Sequence, residues 1–193
     1  MKFRAALVLA CAALLSACGL NSVPTAEENA KARWADVQAN YQRRADLIPN
    51  LVATVKGAVG AESKILNDVV NARAKATQIQ LSGDDLTDPA KVSAFNQAQN
   101  GVSLSLQRLQ EAYPQLQSIQ GFSTLMSQIE GTENRITIAV RDYNTAVQEY
   151  NTRIRTFPDA VGAKIFYGSK PMTPFQAKAG AENAPTVDFG NGS

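Results

Sequence analysis

Histidine is missing from the chain, and cysteine occurs only at Cys11 and Cys18 among 193 residues. Without histidine, the commonest metal ligand and the usual general base at neutral pH are gone. Zinc sites of the Cys/His kind and Ser-His or Cys-His nucleophilic pairs go with it. No Gly-rich phosphate loop is present either: "GAVG" at 57–60 has neither the spacing nor a strand before it, and reads as small residues where helices approach closely. Strand-like alternation is absent too. Carboxylate-only or Ser/Lys catalysis remains open, and neither a metal nor a cofactor is expected.

An excess of one charge is also lacking. Two of the 19 Lys/Arg, Lys2 and Arg4, stand ahead of an apolar run; without that leader 17 remain, against 17 Asp/Glu. Electrostatic binding to nucleic acid needs surplus positive charge to displace condensed counterions, so that class of partner is set aside.

What is there begins with the leader. A positive start, the apolar stretch "AALVLACAALL" at 5–15 and small residues before Cys18 make a secretory signal, too short to span about 30 Å of hydrocarbon comfortably. "LSAC" at 15–18 resembles the bacterial lipobox, which implies diacylglycerol on the Cys18 sulfur, cleavage before it and acylation of the new amino group. Stable anchoring takes two or more acyl chains, and this arrangement supplies them. Cys11 would leave with the signal, so the mature chain forms no disulfide. Gly19, not Asp, follows the lipidation site; by resemblance to sorting signals this implies the outer membrane, facing the periplasm, in a two-membrane host, and the outer face of the plasma membrane otherwise.

The expected organisation is a signal at 1–17, a lipidated tether at 18–26, a helical bundle at 27–158 and an irregular tail at 159–193, its aromatics Phe166, Tyr167, Phe175 and Phe189 docked on the bundle and its end disordered. Thr25 with Glu28 fits a capping box. Apolar positions then step by three and four from Trp34 through Val59, Glu62 and Leu66 to Ala76, a single seam that predicts a helix of about 75 Å if continuous. Gly83 suits the C-terminal cap, Asp88 the next N-cap and Pro89 the first helical position. A second seam, Val92 to Tyr113, stops at Pro114; a third runs from Phe122 to Phe157. The class is all-α: an elongated antiparallel bundle of three to four long helices.

Pro49 either kinks the first helix or opens a new one capped by Asp46. Because Tyr41, Ala45, Ile48 and Val52 stay in phase across it, a nearly coaxial kink is favoured. This stretch, "RRADLIPNLVATVKG", resembles the signature of the LemA family, and so, in order, do "GAESKILNDVVNARAKA" at 60–76, "EAYPQLQ" at 111–117, "EGTENRITIAVRDYNTAVQEYNTRIRTFP" at 130–158 and the tail at 170–189. The resemblance implies an elongated bundle exposed on the non-cytoplasmic side of a membrane, with no generally established enzymatic activity. Its motif positions are Arg44, Asp46, Pro49, Asn50, Glu62, Arg73, Glu111, Tyr113, Pro114, Glu133, Arg135, Arg141, Tyr143, Asn144, Tyr150 and Asn151. Many members begin with an uncleaved membrane helix instead, so the lipobox changes the expected anchor and not the fold.

Glu62 and Glu133 fall on apolar seams, where an unpaired ionised carboxylate would cost several kcal/mol. Arg73, Arg135 and Arg141 are the candidate partners, in an ion-pair network that sets helix register rather than a proton-handling site. Tyr143-Asn144 and Tyr150-Asn151 lie seven apart on one face, their rings suited to the core and their hydroxyls to partners at its edge. The expected function is a membrane-tethered envelope lipoprotein acting as a helical interaction or scaffold module, with a protein partner or self-association and no catalysis. The alternatives are a carrier of a small apolar ligand and a hydrolase built on Glu62 and Glu133.

Overall fold

The structure, a computed structural model, describes residues 21–59 and 63–176. The leader, Cys18, Gly60, Glu62 and Phe189 lie outside the described residues.

Helix α1 (Ser22–Val59) starts five residues before the expected 27. Thr25 is not an N-cap: its Oγ1 donates to the Asn21 carbonyl at 2.7 Å from inside the first turn. Pro24 sits in the same turn, where a missing N–H costs nothing. The helix runs unbroken through Pro49, as its phase predicted. It ends far short of Ala76, however, so its length is about 57 Å and not 75 Å. Gly57, with no side chain to pack, weakens the helix by about 1 kcal/mol relative to alanine. A Cβ there would meet nothing within 4 Å, so this glycine does not mark a close helix approach. The second half of the supposed seam is a separate helix, α2 (Lys64–Gln78), capped by the Ser63 hydroxyl, which accepts from the Leu66 amide at 3.2 Å.

Helix α2 closes on extended Ile79, not on Gly83, which is right-handed (φ −56°) and leads into a 3-10 turn at Asp84–Thr87. Gly83 also packs closely under a flexible neighbour: a Cβ would lie 3.1 Å from Cε of Lys31, which would have to shift by a few tenths of an ångström. Helix α3 (Pro89–Ala112) begins as expected, with the Asp88 carboxylate accepting from the Ala90 amide at 2.9 Å, and ends before Pro114. A 3-10 turn at Pro114–Ser118 leads to α4 (Gln120–Arg153), and α5 (Asp159–Gly162) continues into a wide turn at Ala163–Tyr167. Helices α1 and α4 pack along their lengths, while α2 folds back onto α1 and pairs with α3. The result is an all-α antiparallel bundle without strands among the described residues. None of these helices is long and apolar enough to cross a membrane.

Two apolar clusters fill the bundle. One gathers Val23, Trp34 and Val37 of α1, Val92 and Phe95 of α3, and Tyr143, Val147 and Tyr150 of α4. The other holds Ile48, Leu51 and Val55 of α1, Leu66 and Val69 of α2, Val102 and Leu109 of α3, and Phe122 and Ile129 of α4. Trp34 centres the first, its ring 5.2 Å from Phe95, 5.5 Å from Tyr143 and 5.6 Å from Phe175 between centroids. Its indole N–H donates to the Leu81 carbonyl at 3.2 Å, pinning the α2–α3 connection.

The chain from 168 to 176 docks as a strap on α4. Asn151 Nδ2 donates to the Met172 carbonyl at 2.8 Å, and Oδ1 accepts from its amide at 2.9 Å. Asn144 grips Phe175 in the same two-sided way, at 3.0 and 2.8 Å. Tyr143 and Tyr150 bury their rings and donate to the carbonyls of Thr173 (3.0 Å) and Lys170 (3.1 Å), the division of labour their spacing predicts. Phe175 docks as expected, but Phe166 and Tyr167 do not: they are exposed, and Phe157 leaves the seam because α4 ends at Arg153.

Candidate functional site

Between the two apolar clusters lies a polar layer centred on Arg44. Three residues past Tyr41 and four before Ile48, Arg44 shares the inward face of α1, and only 2% of it is exposed. A buried guanidinium must find acceptors for its N–H groups or be strongly destabilising. Nη1 donates to Glu133 Oε1 of α4 at 2.6 Å and to Ser103 Oγ of α3 at 3.0 Å. Nη2 donates to the backbone carbonyl and the side-chain oxygen of Gln99, at 3.0 and 2.7 Å. The face of Tyr41 completes the setting, its centroid 5.0 Å from the guanidinium carbon. Gln99 passes the network on: its Nε2 donates to the Ala76 carbonyl of α2 at 3.3 Å, so one arginine ties all four long helices together.

A second arginine joins from α2. Arg73 Nε donates to the Ala45 carbonyl at 2.7 Å. In an α-helix that oxygen would accept from the residue at 49, but Pro49 has no N–H to give. The proline thus frees an acceptor on the face that meets α2, and Arg73 fills it.

The other expected residues are dispersed. Asp46 is exposed and accepts from Gln42 Nε2 at 2.7 Å; Asn50 is exposed, and its carbonyl accepts from Thr54 Oγ1 at 2.9 Å. Arg135 is exposed on α4, and Arg141 pairs with its neighbour Asp142 at 3.3 Å. None of Arg73, Arg135 and Arg141 takes Glu133, whose cation is Arg44. The reason is helix phase: Arg135 and Arg141 fall on the outer side of α4, whereas Arg44 points across the bundle. Glu62 lies outside the described residues.

Two clefts flank the layer and share Tyr41, Arg44 and Gln99 in their walls. One, of about 280 Å³, opens between α1, α2 and α3, with Gln38, Gln42, Arg73 and Thr77 among its lining. The other, of about 560 Å³, opens between α1, α3 and α4, with Asn96, Asn100, Ser103 and Glu133. Glu133, a side chain 36% exposed, is the sole acid in this wall and is held by Arg44 and by the Ser103 hydroxyl at 3.3 Å. A carboxylate so engaged is poorly placed to act as a free general base. Both clefts mix amide and guanidinium groups with apolar ones, unlike the apolar chamber a carrier would use. Burial pushes the Tyr41 hydroxyl up to about 12, with Glu133 adding to the effect and Arg44 opposing it. No group of three or more acidic or cysteine side chains among the described residues could hold a metal ion.

Sequence reasoning missed Gln99 and Ser103. A signal was present: the α3 seam jumps seven from Phe95 to Val102, and Gln99 occupies the missing step. A comparison with curated proteins finds no significant match. The family model described as LemA family matches residues 33–189, which takes in the whole polar layer, the strap and most of the bundle, and the chain belongs to the LemA family.

Proposed function

We propose that this protein is a lipid-anchored envelope lipoprotein whose bundle is an interaction or scaffold module and not an enzyme. The observation that carries the reading is the place of α1 in the chain: it starts at Ser22, four positions after Cys18, so the bundle would stand close to its anchor. Four residue steps reach at most about 14 Å even when extended. The pairing of Glu133 with Arg44 and Ser103 and the wholly structural bonding of Arg44 add support, since the one acid in the cleft between α1, α3 and α4 is tied to a buried cation. Its site of action would be the outer membrane facing the periplasm in a two-membrane host, or the outer face of a single plasma membrane. Its partner would be another envelope protein or a second copy of the chain.

Fatty-acid labelling of the expressed full chain tests the anchor. Wild type should carry label on Cys18 and run as the processed form, while Cys18→Ala should be unlabelled and unprocessed. Equal processing and label in both would sink the lipoprotein reading. Crosslinking in intact envelopes, read by mass spectrometry, tests the module: a reproducible crosslinked protein or a crosslinked dimer supports it, and the absence of both speaks against it.

A further inference from the structure

Apolar side chains that face water are single and scattered over most of this bundle, at Val70, Leu104 and Ile138. At one end they are not. Phe157 is 86% exposed, Ile165 69%, Phe166 67% and Val161 49%, all within ten residues on α5 and the turns that flank it. Leaving two phenylalanines and an isoleucine in water forfeits much of what burial would contribute, and a cluster of this kind marks a contact surface.

The position of this crown identifies what it touches. Asn21, Ser22, Thr25 and Asn29 of the N-terminal end of α1 share a cleft with Glu149 and Arg153 of α4, and α5 packs against α1. The crown therefore stands at the end of the bundle where the chain leads back to Cys18. The strap does not cover it. From Lys170 the chain runs away along α4, gripped in turn by Tyr150, Asn151 and Asn144, and Asn96 then donates to Gln176 at 3.0 Å near the middle of the bundle.

Charge agrees with position. Arg155, Lys164 and Lys170 are exposed around the crown, and the single acid between 154 and 170 is Asp159, which Arg153 engages at 3.6 Å. The acids facing it from neighbouring helices share cations, Glu27 and Glu28 meeting Lys31 and Glu149 meeting the same Arg153 as Asp159. With Arg155, Lys164 and Lys170 this end carries five cations against four acids, and those three have no acid within ion-pair distance among the described residues. Exposed aromatic and branched side chains beside three cations without ion-pair partners match an anionic lipid surface, which accepts apolar groups at the acyl boundary and cations at the headgroups.

We infer that Phe157, Val161, Ile165 and Phe166 insert into the membrane interface, with Arg155, Lys164 and Lys170 against anionic headgroups, so that the bundle is seated on the bilayer and does not swing from its tether. This inference rests on the lipid-anchored reading above.

The test uses the full processed chain reconstituted into phosphatidylethanolamine/phosphatidylglycerol vesicles, with and without bromine on the acyl chains. Phe166→Trp places a reporter in the crown, and Val70→Trp places one on α2; both positions are exposed, so circular dichroism should be unchanged. Trp34, buried in the core, gives a constant background. Brominated lipid should quench the Phe166→Trp reporter by about half and leave the Val70→Trp reporter unaffected. Equal quenching of the two reporters overturns the inference. So does a Phe166→Trp signal that becomes buried with rising protein concentration and is not quenched, because the crown would then meet a second copy. Mass spectrometry of Cys18 in the same preparation separates the two readings. Lipid on Cys18 without quenching removes the crown contact alone; quenching without lipid removes the anchor and keeps the crown.

Discussion

Pro49 and Arg73 are coupled through one oxygen: the proline removes the donor that would occupy the Ala45 carbonyl, and Arg73 Nε donates to it at 2.7 Å. Arg73→Met should therefore cost about 1.5–3 kcal/mol, the range for a hydrogen bond to a charged group. In a Pro49→Ala background, where the alanine N–H can take the same carbonyl, the cost should fall by at least about 1 kcal/mol. Urea unfolding of the four proteins measures the coupling; strict additivity would show that the two residues act separately.

Arg44→Ala should be the most damaging single change in the polar layer. It strands the Gln99 and Glu133 acceptors and leaves a void, and breaking a buried pair by losing one partner costs about 3–5 kcal/mol. Glu133→Gln keeps an acceptor for Arg44 at a side chain open to water, so its cost should be nearer 1 kcal/mol. A smaller loss for Arg44→Ala than for Glu133→Gln would reverse this assignment.

Asn144→Ala and Asn151→Ala should each loosen the strap. Each asparagine satisfies one amide and one carbonyl of the extended chain, so about 1–2 kcal/mol of local stability is at stake in each. Hydrogen exchange at the Phe175 amide should accelerate at least about tenfold in Asn144→Ala, and at Met172 in Asn151→Ala, while the α1–α4 core stays protected. Unchanged exchange at both amides would mean that the strap is held by its apolar contacts alone.

Alkaline pH should unfold the bundle through its tyrosines. Tyr41 is pushed up to about 12, chiefly by burial, and burial also raises Tyr143 and Tyr150. Unfolded tyrosine ionises near about 10. Above that pH the unfolded chain gives up protons that the folded one keeps, so stability is intact below about 10 and falls as pH rises toward about 12. Urea midpoints across this window should drop, and Tyr41→Phe should make the slope shallower. An identical slope in the variant would remove Tyr41 from the account.

The helical phase of α1, α3 and α4 could be read directly, because apolar residues three and four apart permit little else. The strap's anchors could be read in part: the Tyr-Asn spacing put both pairs on one face, though not what they would hold. The α1–α2 break was hidden because α2 happens to resume the phase of α1, so periodicity alone could not distinguish a bend from a reversal. Chain length offered no help there either. Glu133 was recognised as out of place on an apolar seam, yet its partner was sought in Arg135 and Arg141, which helix phase turns outward, and in Arg73, which the Ala45 carbonyl holds on α1. Arg44 passed unremarked as that partner because it sits beside Ala45, which satisfied the seam; one face of a helix is wide enough for both.

The polar layer also sets an order of assembly. Gln99 reaches Ala76 across 23 residues, whereas Arg44 reaches Glu133 across 89. Closing the longer loop costs about 1 kcal/mol more in chain entropy, so the α2–α3 hairpin precedes the arrival of α4 in folding. Until then the guanidinium lacks its carboxylate, and the flank of α1 that α4 will cover is open to water. Because a chain is made from its N-terminus, that interval lasts until α4 has been synthesised, and the apolar face exposed meanwhile is the one α1 later turns toward α4.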